Sequence, residues 1–231
     1  GQFHLYAQPI QKADGSGYYE ILTRMESEGE IITPDRFIPL IAQFNLSHRF
    51  DMCVMEKLLL WLRDHPATHA GVRFSVNLMP LTLMQKEVAI EICSLFERYG
   101  VAPQAVVIEI TEEQAFSNSG CSINNIQQLR DYGFRIAIDD FGTGYANYER
   151  LRRLQADIIK IDGCFVHEIE SDQLDAIIVK SIIEIARAKQ LTVVAEYVET
   201  EAQKAMLLAL GVDYLQGYLI GKPQPLSELK A

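Results

Sequence analysis

DIIKIDGCFVHEIESDQLDAIIVKSIIEIARAKQLTVVAE, residues 157–196, is the stretch whose reading decides the fold. It opens on a short apolar run, DIIKI (157–161), and closes on another, TVVAE (192–196). Both have the length and β-branched content of strands. Between them, Leu174 to Lys189 spaces Ile177, Ile178, Ile182, Ile185 and Ala186 as the apolar stripe of an amphipathic helix. Strand, helix, strand is the repeating unit of a parallel sheet.

The same alternation extends in both directions. FHLYAQ (3–8), YYEILTRM (18–25), VRFSVN (72–77), AVVIEI (105–110) and FRIAID (134–139) precede it and DYLQG (213–217) follows, making eight strand-like runs. Thr33-Pro34 reads as a helix N-cap followed by a first-turn proline, opening a helix through Phe37, Leu40, Ile41 and Phe44. Ser47 to His65 carries Phe50, Val54, Leu58, Trp61 and Leu62 along one face, and Gly133 and Gly211 stand where helices stop before a strand. Eight strands alternating with helices in 231 residues predict a single domain, 1–231, folded as an α/β TIM-like (β/α)8 barrel. A doubly wound open sheet is the runner-up, since pattern alone does not show closure. Residues 9–17 (PIQKADGSG) hold a turn and no helix, too short a link for a parallel crossover. One antiparallel strand is therefore expected in the barrel.

Composition narrows the function. Hydrophobic residues are 48% of the chain and charged ones 23%, which suits a packed core and argues against a disordered chain. A formal net charge of -10 argues against a nucleic-acid polymer as partner, because phosphate backbones require an excess of Lys and Arg. A phosphate-bearing ligand stays open if metal cations reverse the local sign. Cys53, Cys93, Cys121 and Cys164 are widely spaced and read as reduced cytosolic thiols, some of them buried. No apolar run approaches the ~18 residues that span a bilayer, so this segment is expected to make no membrane contact and to be cytoplasmic. The first residue is Gly rather than Met, which reads as a domain cut from a longer protein, a membrane-anchored one included.

The C-terminal strand ends, where a barrel carries its active site, hold Glu20, Asn77, Glu109, Asp139 with Asp140, Lys160, Glu196 and Gln216. Singly, each is an ordinary solvated loop residue or helix cap. Together they converge on one rim. Two carboxylates about 4 Å apart repel by roughly 4 kcal/mol at an effective dielectric near 20. Lys160 is too little to hold five of them ionised, so divalent metals are expected. Carboxylates and the Asn77 amide favour Mg2+ or Mn2+, with Ca2+ as a competitor, over thiolate or imidazole zinc. Of the adjacent Asp139 and Asp140, one can bridge two metals while the other holds one, the arrangement used in two-metal phosphodiester hydrolysis.

These residues fall in motifs that resemble the EAL-domain phosphodiesterases: EILTR (20–24), SVNL (75–78), EITE (109–112), IAIDDFGTGYANY (136–148), IKID (159–162), VAEYVET (194–200) and QGY (216–218). The resemblance runs from YAQPI to QGYLIGKP, essentially the whole chain. It implies hydrolysis of cyclic di-GMP to linear 5′-pGpG with two divalent cations, Mg2+ or Mn2+. By resemblance, Glu20, Asn77, Glu109 and Asp139 would hold one metal, and Asp139, Asp140 and Glu196 the other. Lys160 resembles the residue that contacts the attacking water, and the base is left open among Lys160, Glu196 and the metal pair. Arg24, on the face of Glu20, resembles a phosphate-binding Arg, and Gln8 and Gln216 resemble guanine or ligand contacts. Glu112 matches an acid that anchors the Asp-Phe-Gly-Thr-Gly loop, with Gly142 and Gly144 letting it bend, and Glu199 would support the cluster from behind. The family commonly pairs through the barrel region beside that loop, so a homodimer is expected.

The chain departs from the family pattern at Ile21, Thr23, Met25, Met79 and Tyr197, the last standing where the family has Gly. Ile21, next to Glu20, should face outward toward a helix. The competing reading is a silent cyclic di-GMP receptor; degenerate members lose a metal ligand or the loop-anchoring acid, and all are kept here. A barrel lyase or isomerase would explain the acidic ends but not the ordered motifs. His65 and His69 are separated by Pro66 and do not read as a zinc pair.

Overall fold

The structure, a computed structural model, describes residues 2–66, 71–117, 119–144 and 155–229. Ten strands are seen among them: β1 Gln2–Gln11, β2 Gly17–Ser27, β3 Glu30–Ile32, β4 Phe74–Asn77, β5 Val106–Thr111, β6 Arg135–Phe141, β7 Ile158–Ile161, β8 Thr192–Ala195, β9 Tyr214–Gln216 and β10 Gln224–Pro225. Eight of them form a ring in the order β1-β9-β8-β7-β6-β5-β4-β2, closed by β1 pairing back onto β2. β1 is antiparallel to both neighbours, and the others run parallel from β2 round to β9. The closed barrel and its one reversed strand are as the sequence predicts, and the open sheet is excluded. β3 and β10 lie outside the ring on β2 and β1; at three and two residues they are too short for periodicity to reveal.

The reversed strand follows from its turn. Lys12 N–H donates to the Ser16 carbonyl at 2.8 Å, and Asp14 Oδ1 accepts from Ser16 N–H at 2.9 Å and its hydroxyl at 2.6 Å. Gly17 sits where any Cβ would collide with the Ile10 carbonyl.

Helices α1 Pro34–Gln43, α2 Ser47–Asp64, α3 Pro80–Leu83, α4 Val88–Tyr99, α5 Glu112–Ala115, α6 Gly120–Tyr132, α7 Gln173–Ala188 and α8 Glu201–Leu210 are described. Gly133 and Gly211 cap α6 and α8 in the left-handed conformation. On α2 the expected stripe is buried through Phe50, Val54, Leu58 and Leu62. On α7 the expected stripe is buried in part: Ile182 and Ala186 face the barrel together with Val179 and Ile183, Ile178 and Ile185 are half-buried, and Ile177 is 54% exposed. That helix is apolar on several sides, so periodicity admits two stripes and the barrel wall selects one.

The core has two layers. Outward-pointing strand residues, among them Ile21, Phe74, Val76, Ile108, Ile136 and Ile159, pack against the helices, which places Ile21 as expected. Inside the barrel, Ile10, Tyr18, Val107, Ala137, Ile158 and Val194 make a smaller cluster with Tyr214 against it. Burying each large side chain in these layers stabilises the fold by roughly 1.5–3 kcal/mol. The four cysteines are unpaired, and none is fully buried: Cys53 and Cys93 are half-buried, Cys121 and Cys164 exposed. The expectation that some are buried is corrected, because the core is filled by larger aliphatic side chains. His69 and residues 145–148 of the glycine-loop motif lie outside the described residues.

Candidate active site

The inner apolar layer turns polar one step up the barrel. Side chains two apart on a strand share a face, so Tyr18 leads to Glu20, Val107 to Glu109, Ala137 to Asp139, Ile158 to Lys160, Val194 to Glu196 and Tyr214 to Gln216. Fully buried Lys160 gathers this upper layer. Its Nζ lies 3.1 Å from Glu20 Oε2, 2.9 Å from Glu109 Oε2, 2.9 Å from Asp139 Oδ1 and 2.9 Å from Glu196 Oε1. Glu20 also accepts from Asn77 Nδ2 at 2.8 Å and from Gln216 Nε2 at 2.6 Å. Gln216 Nε2 reaches Gln8 Oε1 at 3.4 Å, and Gln8 Nε2 donates to the Gly221 carbonyl at 3.2 Å.

One ammonium does not balance this set. Burial alone would lower the Lys160 pKa, but Asp139, Glu109, Glu196 and Glu20 together hold it well above the ordinary value. Burial raises Glu20, yet Lys160 and the donors Gln216 and Asn77 outweigh it and the net direction is down. Glu109 is pushed up to about 8 by burial and by Glu20, and Glu196 well above the carboxylate range by burial and by Asp139. Asp140 rises to about 6 through burial and the charges of Asp139 and Asp162. The mouth therefore carries more anionic oxygen than its own cation satisfies. Asp139, Asp140 and Glu196 each bring an oxygen within 4.8 Å of the others, with no thiolate or imidazole among them. That donor set fits a hard divalent cation. The other expected set, Glu20, Asn77, Glu109 and Asp139, is also brought together, around the Lys160 ammonium.

Neighbours on a strand ordinarily point to opposite faces, so the approach of both Asp139 and Asp140 needs a local cause. Ile138 pairs with Ile159 and Phe141 with Ile161, three steps on β6 against two on β7, a bulge in which Asp140 adopts φ 53°. The loop that follows is held by Glu112, whose Oε2 accepts from Gly142 N–H at 2.7 Å and Gly144 N–H at 3.3 Å. Gly142 has φ 105°, and a Cβ on Gly144 would stand 2.6 Å from Glu112 Oε1.

Above the cluster opens a cavity of about 470 Å3 lined by Gln8, Glu20, Arg24, Asp139, Asp140 and Glu196, among others. Arg24 lies over the Tyr6 ring at 5.7 Å and donates to the Thr23 carbonyl at 2.8 Å. Glu199 is exposed on the rim of the cavity, its backbone N–H bonded to Gln203, rather than packed behind the cluster. Sequence reasoning did not single out Asp162, whose charge reaches Asp140 and whose Oδ1 accepts from Cys164 N–H at 2.8 Å. The signal was present: Asp162 stands two residues beyond Lys160.

Fold and mouth together define a TIM-like barrel protein with an acidic, oxygen-lined site built around a buried lysine. The chain belongs to the EAL domain family, whose model matches residues 1–223. A probable cyclic di-GMP phosphodiesterase, PdeA, of Escherichia coli K12 is 65% identical over 228 residues, covering 99% of this chain and 31% of that protein. The cyclic di-GMP phosphodiesterase PdeF of the same organism is 45% identical over 225 residues, covering 97% of this chain and 30% of its own length. The chain thus spans about a third of these curated relatives. Among solved structures, one described as a PaMucR phosphodiesterase in complex with c-di-GMP matches with a TM-score of 0.91 at 34% identity, covering 99% of this chain and 100% of that one. No helix among the described residues is long and apolar enough to cross a membrane.

Proposed function

We propose that this chain is a cytoplasmic phosphodiesterase domain that hydrolyses cyclic di-GMP to linear 5′-pGpG. Water forms a new bond to one phosphorus, and the bond from that phosphorus to the ribose O3′ breaks. Family membership and the names of the relatives support the substrate. The single observation that carries the chemistry is the meeting of Asp139, Asp140 and Glu196, with Asp139 and Glu196 also among the four carboxylates gathered on Lys160.

Glu20, Asn77, Glu109 and Asp139 would hold one divalent cation, and Asp139, Asp140 and Glu196 a second, Mg2+ or Mn2+ in each case. Bound there, the cations supply an acidified water and neutralise charge on the phosphorane. Lys160, whose Nζ stands 2.9–3.1 Å from Glu20, Glu109, Asp139 and Glu196, would contact the attacking water. Glu196, whose Oε1 lies 2.9 Å from Lys160 Nζ, would orient that water from the other side, with its proton taken up within the acidic cluster. Arg24 meets the phosphate from the cavity wall, and Gln8 and Gln216, now bonded to one another, turn their amides to a guanine edge. Glu112 holds the Gly142–Gly144 loop in place, and Glu199 borders the entrance. The domain pairs as a homodimer through the barrel beside that loop.

The test is incubation of the purified domain with cyclic di-GMP and Mg2+ or Mn2+, followed by chromatography. Linear 5′-pGpG is expected from the wild type and none from Glu20→Ala. Binding with no linear product would make the domain a receptor, and full turnover by Glu20→Ala would overturn the assigned ligand roles.

A further inference from the structure

Tyr197 is the residue of the mouth that the chemistry above leaves unused. It follows Glu196 at the exit of β8 and has φ 54°, a region in which a side chain with a Cβ is strained. The backbone on either side holds it there: Glu196 N–H donates to the Ile161 carbonyl at 3.2 Å, Val198 N–H to the Gln216 carbonyl at 2.9 Å, and Val198 is fully buried. The turn sends Glu196 inward and leaves Tyr197 65% exposed. A strained conformation fixed by its surroundings is a recurrent feature of functional sites.

The ring is seated rather than loose. It lies so close over Gly163 that a Cβ there would meet the Tyr197 Cβ at 2.8 Å and its Cγ at 2.6 Å, so only glycine leaves the seat open. From that seat it borders the 470 Å3 cavity and also a neighbouring one of about 510 Å3 that includes Asp162, His167 and Asp175. The main cavity has two aromatic side chains in its wall, Tyr197 and Tyr218. The Lys222 ammonium stands over the Tyr218 ring at 5.2 Å. No ring or cation covers Tyr197 among the described residues.

We propose that Tyr197 is a specificity-determining residue whose ring stacks on a purine base of the bound dinucleotide and governs how tightly the ligand is held. This rests on the cyclic di-GMP reading and adds to it an aromatic platform beside the acidic cluster. A ring fixed beforehand loses little freedom on binding, so the contact is expressed in affinity. Stacking of a base on an aromatic side chain is enough for roughly a tenfold effect on KM.

The test compares wild type with Tyr197→Phe, Tyr197→Ala and Tyr197→Gly by steady-state kinetics on cyclic di-GMP with Mn2+, together with thermal unfolding. Tyr197→Phe should keep KM within about twofold, since the ring remains. The Ala and Gly variants should raise KM roughly tenfold with kcat within about threefold of wild type. Tyr197→Gly should also melt no lower than wild type, because glycine accepts the left-handed backbone, which separates loss of the ring from loss of the fold. An unchanged KM in the Gly variant, or a fall in kcat at constant KM, overturns the inference while the enzyme reading stands. A wild-type domain that neither binds nor cleaves cyclic di-GMP removes both.

Discussion

At Lys160 one ammonium is set against four carboxylates, each within 2.9–3.1 Å. Removing one partner of a buried ionic group is far costlier than never having had the group, on the order of 3–5 kcal/mol. Lys160→Met should therefore lower the unfolding midpoint sharply in EDTA, and Mn2+ should restore more stability to the variant than it adds to wild type. Equal Mn2+ responses in the two proteins, read by thermal unfolding, would mean that the freed oxygens do not form a cation site. Much of this cluster was legible residue by residue. Once the strands were recognised, a period of two placed Glu20 with Arg24 and lifted Glu109, Lys160 and Gln216 to the same rim. The same rule misplaces Asp140, because a bulge and a φ of 53° turn it back toward Asp139. Backbone sign at one residue is set by tertiary context, and neither Asp140 nor Tyr197 announces it.

Between elements, single side chains tie one segment to the next. Glu112, opening α5, accepts from Gly142 and Gly144 and so fixes the loop after β6. Glu112→Ala leaves both N–H groups without that acceptor, a loss of about 1–3 kcal/mol; hydrogen exchange at Gly142 and Gly144 should quicken, and turnover should fall. Exchange at the wild-type rate would show that the loop is held by something else. Asp51 on α2 does a similar job for α3, its Oδ2 accepting from Met79 N–H at 2.8 Å. Burial pushes its carboxyl up to about 7. A folded-state pKa above the unfolded one gives stability that is complete below about pH 4 and lost as pH rises through about 7. Asp51→Asn cannot ionise, so relative to wild type it should gain on the order of 2 kcal/mol between pH 5 and pH 8, measured by urea unfolding. Identical pH slopes would sink that account. Helices such as α2 were readable because polar residues occupy their outer face; on α7 Ile182 and Ala186 were read correctly, and Ile177 was not, because the first turns are apolar yet exposed, Leu174 at 62% and Ile177 at 54%.

For the whole molecule, eight strands can be counted in the sequence, but closure depends on contacts between residues some two hundred positions apart. β1 meets β9 through Ile10 with Gln216 and Gln11 with Leu215, and meets β2 along its full length. The short turn made β1 readable as reversed; nothing local shows that its far side would find β9. Gly17 is the point at which that closure can be tested. A side chain there runs into the Ile10 carbonyl, so Gly17→Val must spread the hairpin just where β1 turns from β2 toward β9. If the ring is what makes the barrel one cooperative unit, loosening it should do more than lower a midpoint. Trp61, the only tryptophan, packs against Phe74 of β4 at 5.7 Å and lines a cavity with Phe3, Leu5 and Pro225, so it reports on the β1 side of the barrel. In wild type, Trp61 fluorescence and far-ultraviolet circular dichroism should fall at one denaturant midpoint, as in a two-state transition. In Gly17→Val both should shift down by an amount on the order of 2–4 kcal/mol, and the two curves should part, with the Trp61 signal from the β1 side lost before the bulk of the secondary structure. Coincident curves in the variant would mean that the parallel strands hold together without the reversed one, and that β1 is attached to the barrel rather than its closing member.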